Sequence, residues 1–459
     1  MSDSLVLPAF FFAYSVSLMK YMQLCGYPTL FSSDAKISTS IIRQRRLRDD
    51  FLNESCVAAG QYKVNADLPV NDASIHTVLE RVVKKCRTFQ KCYFPSFIWP
   101  SNFQLIPYTF LNIFNKSSNR RHWAKEEVKC EDGEILVLDW YNEVPTVSDD
   151  KEAVILILHH GVNCRSNDLP GQQYIKYAAK KGWLVVCYNR RGHNAKLTKH
   201  NFNMFGNSVE TSYIVETYIQ SKRPQGKCLF LGFSAGSGIV ARYMGDQGAK
   251  IKRLAMRVKR EEGRELDVFG KDLSFVRKNV QGFIYSGVGI CPGYNIERCL
   301  SLFAEPFHSL ILKTTNDWYL GKNKALLEPR KDLRYDECMA ATSLQGWLDE
   351  TYKFAGFETK KAYYDHCNPM RTVQHTINPC LYLNAEDDPI CSIQNLWEAL
   401  YIYDKPNGAI VATVKAGSHC PFYQAGLWSL FDWNAKTFAE ELAFDWFDAI
   451  LDEFGGKGG

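Results

Sequence analysis

From residue 121 onward, short apolar runs rich in β-branched residues alternate with stretches of helical periodicity. Seven of these runs predict strands, and the stretches between several of them predict helices. The predicted strands are 134–140, 154–160, 183–189, 228–233, 282–286, 380–385 and 409–415, and the predicted helices are 171–181, 207–221 and 235–245. Strands that are apolar on both faces and separated by helices are typical of a mostly parallel sheet covered by helices on both sides.

Two segments interrupt this alternation. Residues 250–278 are heavily charged, and we interpret them as a solvated helix or surface insertion. Residues 293–370 are aromatic and mostly helical in pattern, and they lie between two predicted strands, where a helical cap over a site would be inserted. The cap aromatics suit an apolar ligand, but they would equally serve to pack the cap itself.

The chain before this domain divides into two parts. Residues 1–31 are hydrophobic and 32–120 form a polar extension that is helical in places, so the main domain spans 121–452. A membrane-spanning helix needs ~20 apolar residues, and the uncharged stretch 4–19 is borderline until apolar character resumes up to residue 31. Residues 4–31 are therefore a possible membrane anchor, with an amphipathic or buried segment as the alternative.

The expected cellular location of the protein depends on whether residues 4–31 anchor it in a membrane. Four arginines follow the hydrophobic segment between residues 43 and 48. If the segment spans a membrane, the positive-inside rule predicts that the main domain faces the cytoplasm; otherwise we expect a cytoplasmic protein. The net charge of +5 is too small to predict a nucleic-acid partner, and the 15 cysteines contain no CxxC pair and are typical of core residues in a reducing compartment.

The strongest chemical motif is Gly232-Phe233-Ser234-Ala235-Gly236. It follows the predicted strand 228–233 and opens the predicted helix 235–245, which is the context that a nucleophile elbow requires. Gly232 and Gly236 are small enough to let strand and helix approach, while the turn presents Ser234 at the helix N-terminus. The motif predicts a serine nucleophile in an α/β-hydrolase fold.

A serine at neutral pH needs a base, and the base needs an orienting acid. In this fold the chain order is serine, acid, histidine, with the acid and the histidine each on a loop after a strand. His419 follows the predicted strand 409–415 and is the candidate base. Asp387 and Asp388 both follow the predicted strand 380–385, and the pattern by itself leaves the choice between them open.

The run His159-His160-Gly161-Val162 ends another predicted strand and is where this fold places an oxyanion-binding loop. The expected donors are the backbone N–H groups of Val162 and Ala235. Adjacent residues on a strand face opposite sides, so the two histidines do not predict a metal site. We expect no metal and no organic cofactor.

Several stretches together resemble the YheT-type α/β hydrolases, the lineage of the eukaryotic α/β-hydrolase-domain proteins one, two and three. They are DGEILVLDW (132–140), HHGVNCRSND (159–168), LFLGFSAGSGIVARYMGDQG (229–248), LYLNAEDDP (381–389) and AGSHCPF (416–422). The resemblance covers about residues 27–450. It implies Ser234 as the nucleophile, Asp388 as the acid in preference to Asp387, and His419 as the base.

The resemblance also implies an activity. Family members are mostly lipid or ester hydrolases, so we expect a serine hydrolase of acyl esters, of the monoacylglycerol lipase, carboxylesterase or phospholipase type. An ester-forming acyltransferase with the same triad is the first alternative, and a non-catalytic scaffold or receptor is the second. This chain departs from the family at Ala235, where leucine is usual, and at Ser418, where glycine is usual. Eukaryotic members often carry a hydrophobic N-terminal anchor, which favours membrane attachment.

Overall fold

The structure is a computed structural model, and it describes part of the chain. The described residues are 29–31, 73–91, 93–96, 104–105, 122–145, 152–168, 172–268, 272, 275–276, 284–400, 407–424 and 437–454. The predicted membrane segment lies outside them, apart from its last three residues, and so does most of the extension 32–120. Within the described ranges no helix combines the length and the apolar character that crossing a bilayer requires.

The described residues form one sheet of nine strands in the spatial order β1-β9-β8-β7-β6-β4-β5-β3-β2. In chain order the strands are β1 Thr29–Phe31, β2 Trp123–Lys129, β3 Ile135–Tyr141, β4 Val154–His159, β5 Leu184–Asn189, β6 Lys227–Phe233, β7 Ile284–Ile290, β8 Cys380–Ala385 and β9 Ala409–Val414. The strands from β5 to β9 in this spatial order pair in parallel. Antiparallel pairs flank them, β1 with β9 at one edge, and β3 with β5 and β2 with β3 at the other. This architecture confirms the predicted mostly parallel α/β sheet.

Each central strand buries both of its faces. On β4, Leu156 and Leu158 belong to one apolar cluster, while Ile155 and Ile157 belong to a second cluster on the opposite face. Because side chains alternate across a strand, continuous apolar runs require cover on both sides. The helices supply that cover.

Thirteen α-helical segments occur in the described residues. They are α1 Ala73–Lys85, α2 Gln172–Lys180, α3 Ser208–Ser212, α4 Gln220–Lys222, α5 Ala235–Glu262, α6 Ile296–Ser301, α7 Phe307–Thr315, α8 Lys324–Leu327, α9 Tyr335–Met339, α10 Leu344–Thr351, α11 Lys360–Cys367, α12 Ile393–Ala399 and α13 Phe438–Phe454. A π-helical segment, Tyr213–Ile219, joins α3 to α4, and another, Asn316–Gly321, follows α7.

The segment between β7 and β8 has a hydrophobic core of its own. Tyr319, Trp347 and Phe354 are completely buried there, and Tyr363 and Tyr364 are nearly so. Most of the cap aromatics therefore pack the cap, which is the plainer of the two roles that the sequence allows. Val162 and Ala235, the two expected oxyanion residues, pack against the edge of this core.

Two elements are longer than the sequence pattern predicts. Helix α5 runs to Glu262 and includes the first part of the charged segment 250–278, where Ile251, Leu254 and Val258 are buried along one face. Strand β7 runs from Ile284 to Ile290 although the apolar run ends earlier.

Strand β2, whose sequence WAKEEVK is mostly polar, has no counterpart among the predicted strands. Its side chains are largely accessible, as suits an edge strand.

Candidate active site

Ser234 lies at the sharp turn between β6 and α5. Its backbone has φ 53° and ψ −121°, which is strained for a residue other than glycine. A Cβ on Gly232 would lie 2.5 Å from the carbonyl oxygen of Gly236, and a Cβ on Gly236 would lie 2.2 Å from that of His159. Both glycines therefore permit the close packing of strand, turn and helix that holds Ser234 at the sheet edge.

The three side chains that the sequence assigns to a triad converge at this edge. His419 Nε2 lies 2.8 Å from Ser234 Oγ. On the other side of the ring, His419 Nδ1 lies 2.8 Å from Asp388 Oδ2. The first distance suits proton transfer from Ser234 to His419, and the second suits a hydrogen bond by which Asp388 orients the imidazole.

Asp388 is fixed by the backbone of its own loop. Its Oδ1 accepts hydrogen bonds of 2.8 Å from the backbone N–H groups of Ile390 and Cys391. Burial by itself would raise the pKa of Asp388, but the nearby His419 and these two donors lower it overall. The group facing the imidazole is therefore a carboxylate.

The carboxylate of Asp388 changes the pKa of His419. Burial would lower the pKa of His419, yet the charge of Asp388 and the hydrogen bond to it raise the pKa above its ordinary value. The site thus stabilises the imidazolium form, which appears once the histidine has accepted a proton from serine.

Asp387 has a different set of contacts. Its Oδ1 accepts hydrogen bonds of 2.9 Å from the N–H of Gly417 and 2.8 Å from that of Ser418. It therefore links the loop after β8 to the loop that carries His419. The structure places the carboxylate of Asp388, and not that of Asp387, against the imidazole.

The His419 loop is itself tightly constrained. Ser418, Cys420 and Phe422 all have positive φ, at 53°, 80° and 46°. A Cβ on Gly417 would lie 2.4 Å from the Phe422 ring, so the loop accepts only glycine there without rearrangement. Backbone strain of this kind is concentrated at functional sites, where surrounding contacts maintain it.

The loop after β4 approaches the serine from the other side. A Cβ built on Gly161 would lie 3.4 Å from Ser234 Cβ, which puts the following residue, Val162, next to the nucleophile. Ala235 is the first residue of α5, so its N–H belongs to the set that a helix leaves without an intrahelical acceptor. The assignment of the N–H groups of Val162 and Ala235 as oxyanion donors stays a prediction.

Arg190 is a residue of this site that the sequence analysis does not single out. Its Nη1 and Nη2 donate hydrogen bonds of 2.7 Å to the carbonyl oxygens of His160 and Gly161. The side chain is almost fully buried. By fixing two consecutive carbonyl groups, Arg190 orients the peptide units that lead to Val162. The available signal was the Arg190-Arg191 pair directly after an apolar strand.

Three histidines are buried near this loop. Burial lowers the pKa of His159 to about 3, with Arg190 adding to the shift. The rings of His160 and His193 pack against each other at a tilt of 41° with centroids 4.6 Å apart, and burial lowers the pKa of both. These neutral rings pack the interior behind the oxyanion loop.

Among the described residues, two clusters have metal-ligating atoms within 4.8 Å of one another, and both include His419. The first adds Cys291 and Cys420, and the second adds Asp388 and Cys391. His419 already uses both ring nitrogens toward Ser234 and Asp388. Burial raises the pKa of Cys291, and contact with Cys299 together with burial raises that of Cys391.

Helix α7 of the cap bridges the catalytic loops. Asn163, next to Val162, donates hydrogen bonds of 3.0 and 2.9 Å to the hydroxyl groups of Thr314 and Thr315 at the end of α7. Just before α7, the N–H of Ala304 donates to the carbonyl oxygen of Pro389, which follows Asp388. The helix is thereby anchored to the oxyanion loop at one end and to the acid loop at the other.

The fold and this geometry agree with a comparison against protein families. The family described as "alpha/beta hydrolase fold" matches residues 154–424, which is more than half of the chain. The protein therefore belongs to the alpha/beta hydrolase fold family.

Relatives in that family extend the match. Monoacylglycerol lipase ABHD2 of Danio rerio is 22% identical over 417 residues, covering 87% of this chain and 86% of the relative. The Mus musculus protein of the same name is 21% identical over 402 residues, covering 84% and 85%. Among solved structures, the Pyrococcus furiosus esterase Pf2001 is 12% identical, covers 74% of this chain and 95% of its own, and has a TM-score of 0.40.

Proposed function

We propose that this protein is a serine ester hydrolase that cleaves lipid acyl esters, with monoacylglycerols as the first candidate substrates. The observation that carries the proposal is the continuous hydrogen-bonded chain from Ser234 Oγ through His419 to Asp388. The match to relatives named monoacylglycerol lipase over more than four fifths of the chain supports the choice of substrate class.

In the proposed reaction, His419 Nε2 accepts the proton of Ser234 as Oγ attacks the ester carbonyl carbon. The backbone N–H groups of Val162 and Ala235 donate to the oxyanion. Asp388 holds the imidazole and stabilises its charged form. The imidazolium then protonates the departing alcohol, and a water molecule activated by His419 hydrolyses the acyl-enzyme to release the fatty acid.

The surface of α7 favours an acyl chain over a polar substrate. The helix carries FHSLILKTT, and Leu310 is 59% exposed, while Phe307 and Ile311 are only half-buried. Helix α7 is anchored to both catalytic loops, and we propose that its exposed Leu310 contacts the acyl chain of a bound substrate.

The finer family assignment is also part of this proposal. The motif order from 132 to 422 supports the YheT-type lineage, and the ABHD2 relatives are consistent with it. Membrane attachment through residues 4–31, with the catalytic domain facing the cytoplasm, is proposed from the sequence of that segment, and a cytoplasmic protein is the alternative. An acyltransferase would use the same triad with an alcohol in place of water.

The test is product analysis with the purified full chain. We expect it to release free fatty acid from monoacylglycerols and from p-nitrophenyl esters, because the proposed site activates water as the acyl acceptor. The same reactions are run with an added alcohol acceptor. Predominant formation of new ester would favour the acyltransferase, and absence of both products together with no reaction toward serine-directed probes would favour the non-catalytic scaffold.

Replacing Leu310 by glutamate tests the role of α7. We expect at least about a tenfold loss of kcat/KM on long-chain monoacylglycerols, because each methylene moved from water onto an apolar surface contributes about 0.8 kcal/mol. Activity on p-nitrophenyl acetate, whose acetyl group has no long apolar chain to bind, is expected to stay within about twofold. Glutamate at the exposed Lys313 of the same helix is the matched control. Equal losses on long and short esters would contradict a role for Leu310 in acyl-chain binding.

A further inference from the structure

A cavity of about 650 Å³ opens beside α5, away from the nucleophile. Its walls come from α5, from α3, from the end of α11, and from the segment between α11 and β8. Arg242 lies eight residues beyond Ser234 on α5, which corresponds to about 12 Å along a helix axis. The cavity is therefore separate from the catalytic edge.

Arg242 forms the inner wall of this cavity and is 6% exposed. Its Nη2 lies 3.3 Å from Nδ1 of His366, while Nε and Nη1 are buried and have no hydrogen-bond partner. Within the described part of the chain no carboxylate forms an ion pair with this guanidinium, although the charge of Asp246, one helical turn further along α5, acts on it. A buried charge without an ion-pair partner is costly, and Nε and Nη1 are closed off from solvent, so an anion in the cavity would compensate the charge of Arg242 from beside it.

His366 acts as a neutral acceptor for Arg242. Its Nε2 lies 3.2 Å from the side-chain oxygen of Asn207, so Nε2 carries the proton and Nδ1 accepts from the arginine. Burial, together with Arg242 and Arg371, lowers the pKa of His366 to about 3, so the ring stays neutral and adds no competing charge. The pair holds the guanidinium in place without neutralising it.

The rim of the cavity is also basic. Arg253 and Arg371 line it and are exposed, and Lys250 lines it but forms an ion pair of 3.1 Å with Glu216. Asp246 is the single carboxylate among the described lining residues. Three arginines facing one aspartate leave the cavity positively charged, and guanidinium groups match the geometry of phosphate oxygens.

We propose that this cavity is a phosphate-binding site, in which Arg242, Arg253 and Arg371 bind a phosphate monoester or a phospholipid headgroup. The site goes beyond the proposed esterase activity and does not use Ser234, His419 or Asp388. The phosphate site is tested by a binding measurement and the proposed hydrolase by an activity measurement. A negative result for one proposal can therefore be distinguished from a negative result for the other.

The first experiment measures binding of inorganic phosphate to the full chain by calorimetry and by thermal unfolding, with chloride at matched ionic strength as the reference. A ligand that binds only the folded state raises Tm. We expect phosphate to raise Tm of the wild type, and we expect the double variant R253Q/R371Q to bind phosphate about tenfold more weakly, because charge-assisted hydrogen bonds are lost. These rim residues are exposed, so the variant retains the fold.

R257Q is the matched control, since Arg257 is an exposed arginine of α5 that does not line the cavity. It is expected to bind phosphate like the wild type. The variant R242Q is expected to lose the response, and R242K to recover part of it. Absence of a phosphate effect in the wild type, or equal affinity in R253Q/R371Q and R257Q, would overturn the proposal.

A second arm identifies the source of the phosphate. Vesicles of phosphatidylcholine, with or without phosphatidic acid, are sedimented with the wild type, R253Q/R371Q and R257Q. A loss of sedimentation with phosphatidic acid in the double variant alone assigns the site to a lipid headgroup. Equal sedimentation of all three, together with weaker binding of inorganic phosphate by the double variant, assigns it to a soluble phosphate compound.

Discussion

Ser234→Ala is expected to lower kcat for ester hydrolysis on the order of 10⁴-fold or more, because no other group at the site replaces the attacking oxygen. Labelling by a fluorophosphonate probe is expected to disappear in the same variant. The Ser234 side chain forms no capping hydrogen bond to α5, so its removal leaves the helix intact and Tm close to that of the wild type. The measurements are steady-state kinetics, probe labelling and a thermal melt.

Cys164→Ser is the matched control for a competing nucleophile. Cys164 is partly exposed and lies near Gly161 in the oxyanion loop. This variant is expected to keep fluorophosphonate labelling, and its hydrolysis should fall far less than that of Ser234→Ala. Labelling that persists in Ser234→Ala and disappears in Cys164→Ser would reassign the nucleophile to the thiol.

Much of this site is predictable from the sequence because its parts are local. A serine flanked by small residues between a strand and a helix can adopt few backbone conformations. The acid and histidine loops each follow a strand that is recognisable from its apolar run. The structure brings Ser234, His419 and Asp388 together as that pattern predicts. The structure also shows that Asp388, and not Asp387, faces His419. The sequence pattern could not decide this, because it depends on the direction of each side chain within one loop.

Glycines explain two errors in the predicted element lengths. Gly245 suggests a helix end, yet a Cβ there would lie 2.2 Å from the carbonyl oxygen of Thr372, so this glycine admits a neighbouring loop into contact with α5. Gly287 interrupts the apolar run of β7, but its missing Cβ makes room for Val240 of α5. In both cases the glycine makes room for a residue that is distant in the sequence, and no local sequence pattern indicates that contact.

Arg190 and Arg242 were missed for a related reason. An arginine in a sequence is normally assigned to the surface, since charged residues are rarely buried without a partner. Here Arg190 is buried because two backbone carbonyl groups accept from it, and Arg242 is buried beside a neutral histidine. Neither partner is adjacent in the chain, so only the folded structure brings the contacts together.

Asp388→Asn is expected to lower kcat by about 10⁴-fold, and the geometry gives the reason. The N–H groups of Ile390 and Cys391 both point at Oδ1, so an asparagine keeps its oxygen there and turns its NH₂ group toward His419 Nδ1. Nδ1 must then be unprotonated, which leaves the proton on Nε2. In that tautomer the histidine cannot accept the proton of Ser234.

Asp387→Asn is the matched control at the neighbouring position. Its oxygen still accepts from the N–H groups of Gly417 and Ser418, so the His419 loop keeps its link and kcat is expected to fall less than about tenfold. A large loss in Asp387→Asn with a small loss in Asp388→Asn would exchange the roles of the two acids.

The pH dependence of kcat/KM in the same two variants tests whether the charge of Asp388 sets the pKa of His419, in addition to orienting its ring. Because His419 must be neutral to act as base, kcat/KM is expected to rise with pH through the pKa of His419, which the Asp388 carboxylate holds above its ordinary value of about 6.5. Asp388→Asn removes that charge and leaves burial, which lowers the pKa, so the residual activity should reach its midpoint at lower pH. Asp387→Asn keeps the carboxylate of Asp388, and its midpoint should stay near that of the wild type. An unchanged midpoint in Asp388→Asn would mean that this carboxylate does not set the protonation of His419.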